Sequence, residues 1–201
     1  MNATALSLPT EAPTRRPGAF RRLLTNLSGM VGLLLVACYL LFGLLGALGA
    51  TPYPPNEQHA RDRLQPPSAT YLLGTDLFGR DLASRLIAGA TNSLRVAVTS
   101  VALAGLAGTL LGIVAGFAGG WVDTLLMRVM DVFFAFPTLL LALVVVTVLG
   151  PGLENAIIAI AIVYTPIFAR VARAPVLAVK QMEFVTAARC IGSSAIRVLL
   201  R

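Results

Sequence analysis

The sequence predicts an all-α polytopic membrane protein, and three observations carry that prediction. The 201 residues are 57% hydrophobic and only 12% charged, with a mean hydropathy of +0.81. Soluble chains hold about 25% charged residues, so roughly half the charge needed to cover a water-facing surface is absent. The apolar residues come in long blocks, not alternating patterns, and the remaining charges sit between the blocks. The charge is also lopsided, with sixteen Lys and Arg against nine Asp and Glu, a net +7. A nucleic-acid role would need a basic patch on a soluble fold with aromatics for stacking. Arginines placed between apolar blocks serve topology instead, because cytoplasmic flanks of spans are enriched in Lys and Arg.

Charge-free intervals mark out the elements, each compared with the ~20 apolar residues needed to cross ~30 Å of hydrocarbon. Residues 1–22 form a tail carrying Arg15, Arg16, Arg21 and Arg22. Residues 23–50 hold the first span, apolar from Leu27 to Ala50. Arg15-Arg16 with the small residues Ala47 and Gly49 also resembles a secretory or twin-arginine signal. The apolar run exceeds the ~7–15 residues of a signal core, which favours an uncleaved anchor. In residues 51–92, Leu82, Leu86, Ala90 and Leu94 recur at four-residue intervals and predict an amphipathic interfacial helix, which Thr75 or Asp76 can cap.

Residues 93–201 hold the other spans. Arg95 and Asp123 bracket a second one at about 96–118, ending near Gly119-Gly120. Asp131 and Glu154 bracket a third at about 132–150, closed by the turn Gly150-Pro151-Gly152. Asp131 at its start complements the positive end of a helix. The fourth, about 155–174, has only the stretch Asn155–Ala169 free of charge, about 22 Å of helix. It gains length if Arg170 and Arg173 run their stems along the helix and place their heads at the interface. Pro166 predicts a kink, which a packed bundle tolerates.

Counting Lys and Arg by segment sets the orientation. The tail and the segment from Arg170 onward, with Arg170, Arg173, Lys180, Arg189, Arg197 and Arg201, belong in the cytoplasm. Residues 51–92 balance Arg61, Arg63, Arg80 and Arg85 against Glu57, Asp62, Asp76 and Asp81, and the turn Gly150–Glu154 has no basic residue. Both belong outside. Four spans with the N-terminus inside satisfy every assignment.

Several chemistries are excluded. Lys180 is the one lysine and follows Val179, so there is no Gly-Lys-Ser/Thr phosphate loop and no nucleotide hydrolysis by that route. His59, the one histidine, lies far from Cys38 and Cys190, which argues against a Cys/His or Ser/His hydrolase and a His-based metal site. No disulfide framework or CxxC spacing exists. Ion-coupled transporters place ionisable residues inside spans, whereas every charge here lies at a span end. The chain reads as no enzyme, with no catalytic, cofactor or metal residue: a movable conduit or a membrane scaffold, worked from outside the bilayer.

Three constellations remain. Ala104, Gly108, Gly112 and Gly116 put small residues on one face of the second span, allowing close approach of another helix. Gly74-Thr75-Asp76 and Gly79-Arg80-Asp81 form a compact turn motif, read either as a plain helix entry or as contact with an extracytoplasmic partner or substrate. After the fourth span, the stretch from Gln181 to Gly192 is helical in character, and Gly192-Ser193-Ser194 supplies a C′ glycine and a fresh N-cap. This predicts a helix, an elbow and a second helix in the cytoplasm, at about 178–201. The low surface of Ala187 and Ala188 suits a docking partner.

That elbow resembles the EAA loop of permease subunits of binding-protein-dependent ABC importers, whose pattern is Glu-Ala-Ala, three residues, then Gly. Here it reads Thr186-Ala187-Ala188-Arg189-Cys190-Ile191-Gly192, with Thr in place of Glu and Glu183 one turn earlier. The Gly74–Asp81 motif, Asp131 to Pro137 and the run Leu139–Leu143 narrow the resemblance to the C-type subunit of the dipeptide/oligopeptide/nickel branch, which has an extra N-terminal span. The resemblance implies a bacterial inner-membrane subunit that lines a path for peptides or related small solutes, nickel chelates among the solutes of that branch. It also implies a second permease subunit, two ATP-binding subunits and an extracytoplasmic solute-binding protein as partners. Glu183, Thr186, Ala187, Ala188, Arg189 and Gly192 would then dock on an ATP-binding subunit. The family core has about six spans, two of them after the elbow, so the resemblance leads us to expect a chain cut short at Arg201 that does not transport alone.

Overall fold

The computed structural model describes residues 26–193. The basic tail 1–22 and the end of the elbow from Ser194, with Arg197 and Arg201, lie outside the described residues, as does the Arg189 side chain. The chain forms two compact units, Met1–Ala90 and Thr91–Arg201.

In the first unit, Asn26 caps α1 (Leu27–Ala47) by accepting a hydrogen bond from the Ser28 N–H at 3.1 Å. Twenty-one residues give about 32 Å, a full hydrocarbon crossing. The helix is apolar on every side and exposes most of its leucines, as a lipid-facing helix does. An irregular stretch, residues 48–81, then leads into α2 (Leu82–Ala118).

Helix α2 changes one expectation. The series Leu82, Leu86, Ala90 and Leu94 does not form a separate interfacial helix; it is the opening of a single 37-residue helix, about 55 Å long, that continues through the second span. No proline interrupts it, and the polar run Thr91-Asn92-Ser93 is compatible with helix. Nor do Thr75 or Asp76 cap it. Asp81 does, accepting from the Ser84 N–H at 2.8 Å and the Ser84 hydroxyl at 2.6 Å. Thr75 and Asp76 are engaged elsewhere in the turn.

In the second unit, a corner at Gly119, φ +67°, starts α3 (Gly120–Phe134). Helix α4 (Thr138–Leu149) follows, bent 94° from α3 across Ala135–Pro137. The expected third span at 132–150 is therefore not one straight helix. Pro137 has no N–H to donate and disfavours helical geometry at Phe136, so the chain turns there. Twelve residues give α4 only about 18 Å. Gly150 and Gly152, both at positive φ, make the following turn, and the Asn155 amide closes it by donating to the Leu149 and Gly150 carbonyls at 2.8 and 3.1 Å.

Helix α5 (Leu153–Lys180) runs 28 residues, about 42 Å, through Pro166 and Pro175. It starts and ends beyond the expected 155–174, and it gains its length by continuing through Arg170 and Arg173. Helices α3 and α4 both pack on it, and α6 (Glu183–Cys190) follows after Gln181 and Met182. Among the described residues, α1, α2 and α5 are long and apolar enough to cross a membrane, and the bent pair α3–α4 supplies a fourth crossing if it counts as one span.

Candidate functional site

The small face of α2 lies against α5. Ala104, Gly108, Gly112 and Gly116 are all buried. A Cβ at Gly108 would come within 2.5 Å of the Thr165 carbonyl oxygen and 2.6 Å of the Phe168 Cβ. At Gly112 it would overlap the Ala169 carbonyl and sit 3.0 Å from the Ala172 Cβ; at Gly116 it would sit 3.0 Å from the Val176 Cβ. The backbones approach closely only because no side chain intervenes, which is how helices gain contact in lipid. Higher on the same face, the buried Ser100 hydroxyl donates to the Ile157 carbonyl at 3.2 Å. The α5 side of this contact was not singled out in the sequence, although Ala161, Ala169 and Ala172 are its small-residue signal.

Charges then pin the end of α5. Arg173 donates to both oxygens of Asp123, Nε at 2.5 Å and Nη2 at 2.6 Å, the two-bond fork that makes Arg–carboxylate pairs strong. Arg170 donates to Asp131 at 2.6 Å and stacks over the Phe134 ring at 4.0 Å. Both arginines are thus paired to carboxylates of α3. Asp131 also differs from expectation. It lies in the last turn of α3, where the helix end is partly negative and disfavours a carboxylate; the Arg170 guanidinium supplies the offsetting charge. Lys180 donates to the Phe117 carbonyl at 2.7 Å and reaches that of Gly116 at 3.4 Å, closing the end of α2. At the other end of α5, Glu154 pairs with Arg95.

Helix α6 carries the sequence-predicted docking residues. Glu183, Thr186, Ala187 and Gly192 are exposed and Ala188 is half-buried. Val185, 2% exposed, anchors the helix. Met182, Phe184 and Ile191 are exposed around it; Phe184 and Ile191 are 62% and 83% accessible. Gly192, φ +82°, ends the helix, and the Ser193 N–H returns to the Ala188 carbonyl at 3.0 Å. This six-to-one bond is the Schellman exit that a C′ glycine permits. No atom lies within 4 Å of a Cβ added at Gly192.

The turn motif is a self-contained knot in the first unit. One Asp76 oxygen accepts from the Phe78 and Arg80 N–H groups at 2.8 and 3.0 Å, and the other from Arg80 Nε at 2.7 Å and Arg85 Nη1 at 3.3 Å. Burial raises the Asp76 pKa, but the two N–H groups and the Arg80 guanidinium outweigh it and hold the carboxyl below the ordinary carboxylate range. The buried Thr75 hydroxyl accepts from the Gln65 N–H at 2.9 Å and donates to the Asp62 carbonyl at 2.5 Å. Asp62 also accepts from the Tyr71 hydroxyl at 2.9 Å, and that bond, with burial, raises the Tyr71 pKa. Gly74 and Gly79 have positive φ, and a Cβ on either would strike a carbonyl, of Gln65 and His59 respectively. Gly74, Thr75, Asp76, Gly79, Arg80 and Asp81 are thus brought together by their own hydrogen bonds. The polar groups point inward, while Leu72, Leu77 and Phe78 are exposed.

Span-length apolar helices, a tightly packed pair α2–α5 and an exposed helix at the end of α5 define a polytopic membrane protein with an accessible peripheral element. Residues 108–201 match the family described as binding-protein-dependent transport system inner membrane component, and residues 18–67 match the N-terminal transmembrane domain of oligopeptide transport permease C. The chain belongs to this permease family, and it is of the C type. It is 41% identical to a dipeptide transport system permease of Alkalihalophilus pseudofirmus over 181 residues, 90% of this chain and 59% of the relative. A di/tripeptide transport system permease of Pseudomonas aeruginosa is 44% identical over 177 residues, 85% of this chain and 58% of the relative. A glutathione transport system permease of Pectobacterium atrosepticum is 40% identical over 151 residues, 75% of this chain and 50% of the relative. The chain thus spans about three fifths of the length of the two dipeptide relatives it matches.

Proposed function

We propose that this chain forms part of the translocation path of an ATP-driven peptide importer in the bacterial inner membrane, and that α6 docks on a separate ATP-binding subunit at the cytoplasmic face. The observation that carries the reading is α6 itself. It is a short helix joined to a long apolar one by two residues, with the small, accessible Ala187 beside the exposed Phe184 and Ile191. A peripheral helix with large apolar side chains around a low alanine surface suits a groove in a partner, the helix-in-groove mode. The chain has no phosphate loop of its own, so the energy comes from that partner. A second permease subunit completes the path and an extracytoplasmic binding protein delivers the solute. Peptides are favoured over nickel chelates because the three relatives above are named for peptides or glutathione.

Replacing Gly192 tests the reading in the assembled transporter. A Cβ added at Gly192 meets no atom among the described residues, and Gly192→Trp places bulk at the elbow in a left-handed position. Membrane insertion should be normal, with solute uptake uncoupled from ATP hydrolysis. Unchanged uptake with unchanged coupling would refute the docking role.

A further inference from the structure

We propose that Asp123, Arg173 and Lys180 form a transmission clamp that carries movement of α6 into the α2–α3 corner, and that they set how much solute moves for each ATP consumed. The inference rests on the docking role of α6 and extends it to three residues outside the elbow.

The geometry has three parts. First, Arg173 and Lys180 are seven residues apart, two turns of α5, and so lie on one face of its last stretch. Secondly, both reach the same corner. Lys180 holds the Phe117 and Gly116 carbonyls that end α2, and Arg173 holds Asp123 in the first turn of α3. Each charge also matches the helix end it touches, a cation at the negative end of α2 and a carboxylate at the positive end of α3. Thirdly, the corner turns at two glycines, with the Gly119 N–H donating to the Ala115 carbonyl at 3.0 Å and the Asp123 N–H to that of Gly119 at 3.3 Å. Gly119 and Gly120 both sit at positive φ, at +67° and +53°, and Lys180 Nζ lies 3.1 Å from where a Gly119 Cβ would be.

On the other side of the clamp, the joint to α6 is stiff. Gln181 and Met182 donate to the Ala178 and Val179 carbonyls at 3.2 and 3.0 Å, and the Met182 carbonyl accepts from Val185 and Thr186 at 3.0 and 3.3 Å. No glycine interrupts the joint. A load on α6 therefore enters the end of α5, and these three side chains carry it to the two-glycine corner alongside the close packing of Gly116 on Val176. The Asp123 carboxylate is 15% exposed and the Arg173 side chain 32%, so the pair is partly shielded from water. A clamp of this kind moves as a rigid body, which is what a rocking transition needs.

The test compares solute uptake with ATP hydrolysis in a transporter assembled around a permease subunit of full family length that carries these residues, in vesicles, for Asp123→Asn, Arg173→Gln, Lys180→Met and the reversed pair Asp123→Arg with Arg173→Asp. Each single variant should lower solute taken up per ATP by about 10-fold, with ATP turnover and membrane accumulation within about 2-fold of the parent, a change typical of one coupling interaction. The reversed pair should recover most of that ratio. A merely structural role would lower accumulation and leave the ratio alone. Parental ratios in the single variants, or a reversed pair no better than either single, would overturn the clamp. If the Asp123 and Arg173 variants fail to accumulate, Lys180→Met decides, and an unchanged ratio in it overturns the proposal. If the parent itself does not retain the ATP-binding subunits, the docking role fails, and the clamp with it.

Discussion

Replacing Gly112 by alanine should separate α2 from α5 and destabilise the second unit. The added Cβ overlaps the Ala169 carbonyl and lies 3.0 Å from the Ala172 Cβ, where ordinary carbon contacts are about 3.5–4.0 Å. Neither neighbour can rotate away, since one is backbone of a continuous helix and the other has no χ angle. The helices must therefore part, at a cost of about 1–3 kcal/mol for overpacking. Two controls on the same helix isolate the cause. Gly105→Ala meets only the Phe168 ring, at 3.7 Å, and Gly89→Ala meets nothing within 4 Å. Gly89→Ala and Gly112→Ala gain the same helix propensity, up to about 1 kcal/mol, so they should differ by the overpacking cost of about 1–3 kcal/mol. Unfolding of the purified protein from mild detergent into SDS, followed by circular dichroism, reads the difference. If Gly112→Ala unfolds at the same SDS fraction as both controls, close backbone packing is not what holds α2 to α5.

Two other predictions concern the turn motif. Gly79→Ala should cost more than about 1 kcal/mol, because alanine resists φ +73° and its Cβ would overlap the His59 carbonyl; faster protease cleavage within residues 51–81 would show it. The depressed Asp76 pKa sets the sign of a pH effect: its contribution is present above the unfolded carboxylate pKa and is lost as pH falls through the lower folded value. Protection from hydrogen exchange at the Phe78 and Arg80 amides, taken relative to the intrinsic rate at each pH, should fall only in that acid range, and Asp76→Asn should remove the pH step; a step that persists in Asp76→Asn refutes the assignment.

The sequence was legible where local chemistry sets structure. The charge-free block from Leu27 marks α1, the Gly150-Pro151-Gly152 punctuation marks the turn into α5, and Gly192 ends α6 as a C′ glycine should. Bracketing spans by charge failed at α3 because that helix contains Asp123, Arg128 and Asp131, so it was passed over and Pro137 was placed inside a span instead of at a bend. The same method split α2, since Arg95 looked like a boundary while the helix continues through it, with Arg95 paired to Glu154. The clamp was illegible for another reason. Its partners are 50 and 63 residues apart, and each charge taken alone reads as an ordinary span-end residue. The small face of α2 was visible, but its fit to α5 depends on residues whose register only the folded chain reveals.

The central claim is that α6 contacts an ATP-binding subunit, and Cys190 provides the most direct measurement. It is an exposed free thiol on that helix, with Cys38 in apolar α1 as the internal comparison. A photoactivatable crosslinker placed on each cysteine in turn, the other replaced by serine, should capture an ATP-binding subunit from Cys190, and thiol reagents should reach Cys190 only from the cytoplasmic side. Labelling of Cys190 from outside, or equal capture of that subunit from Cys38, would contradict the account.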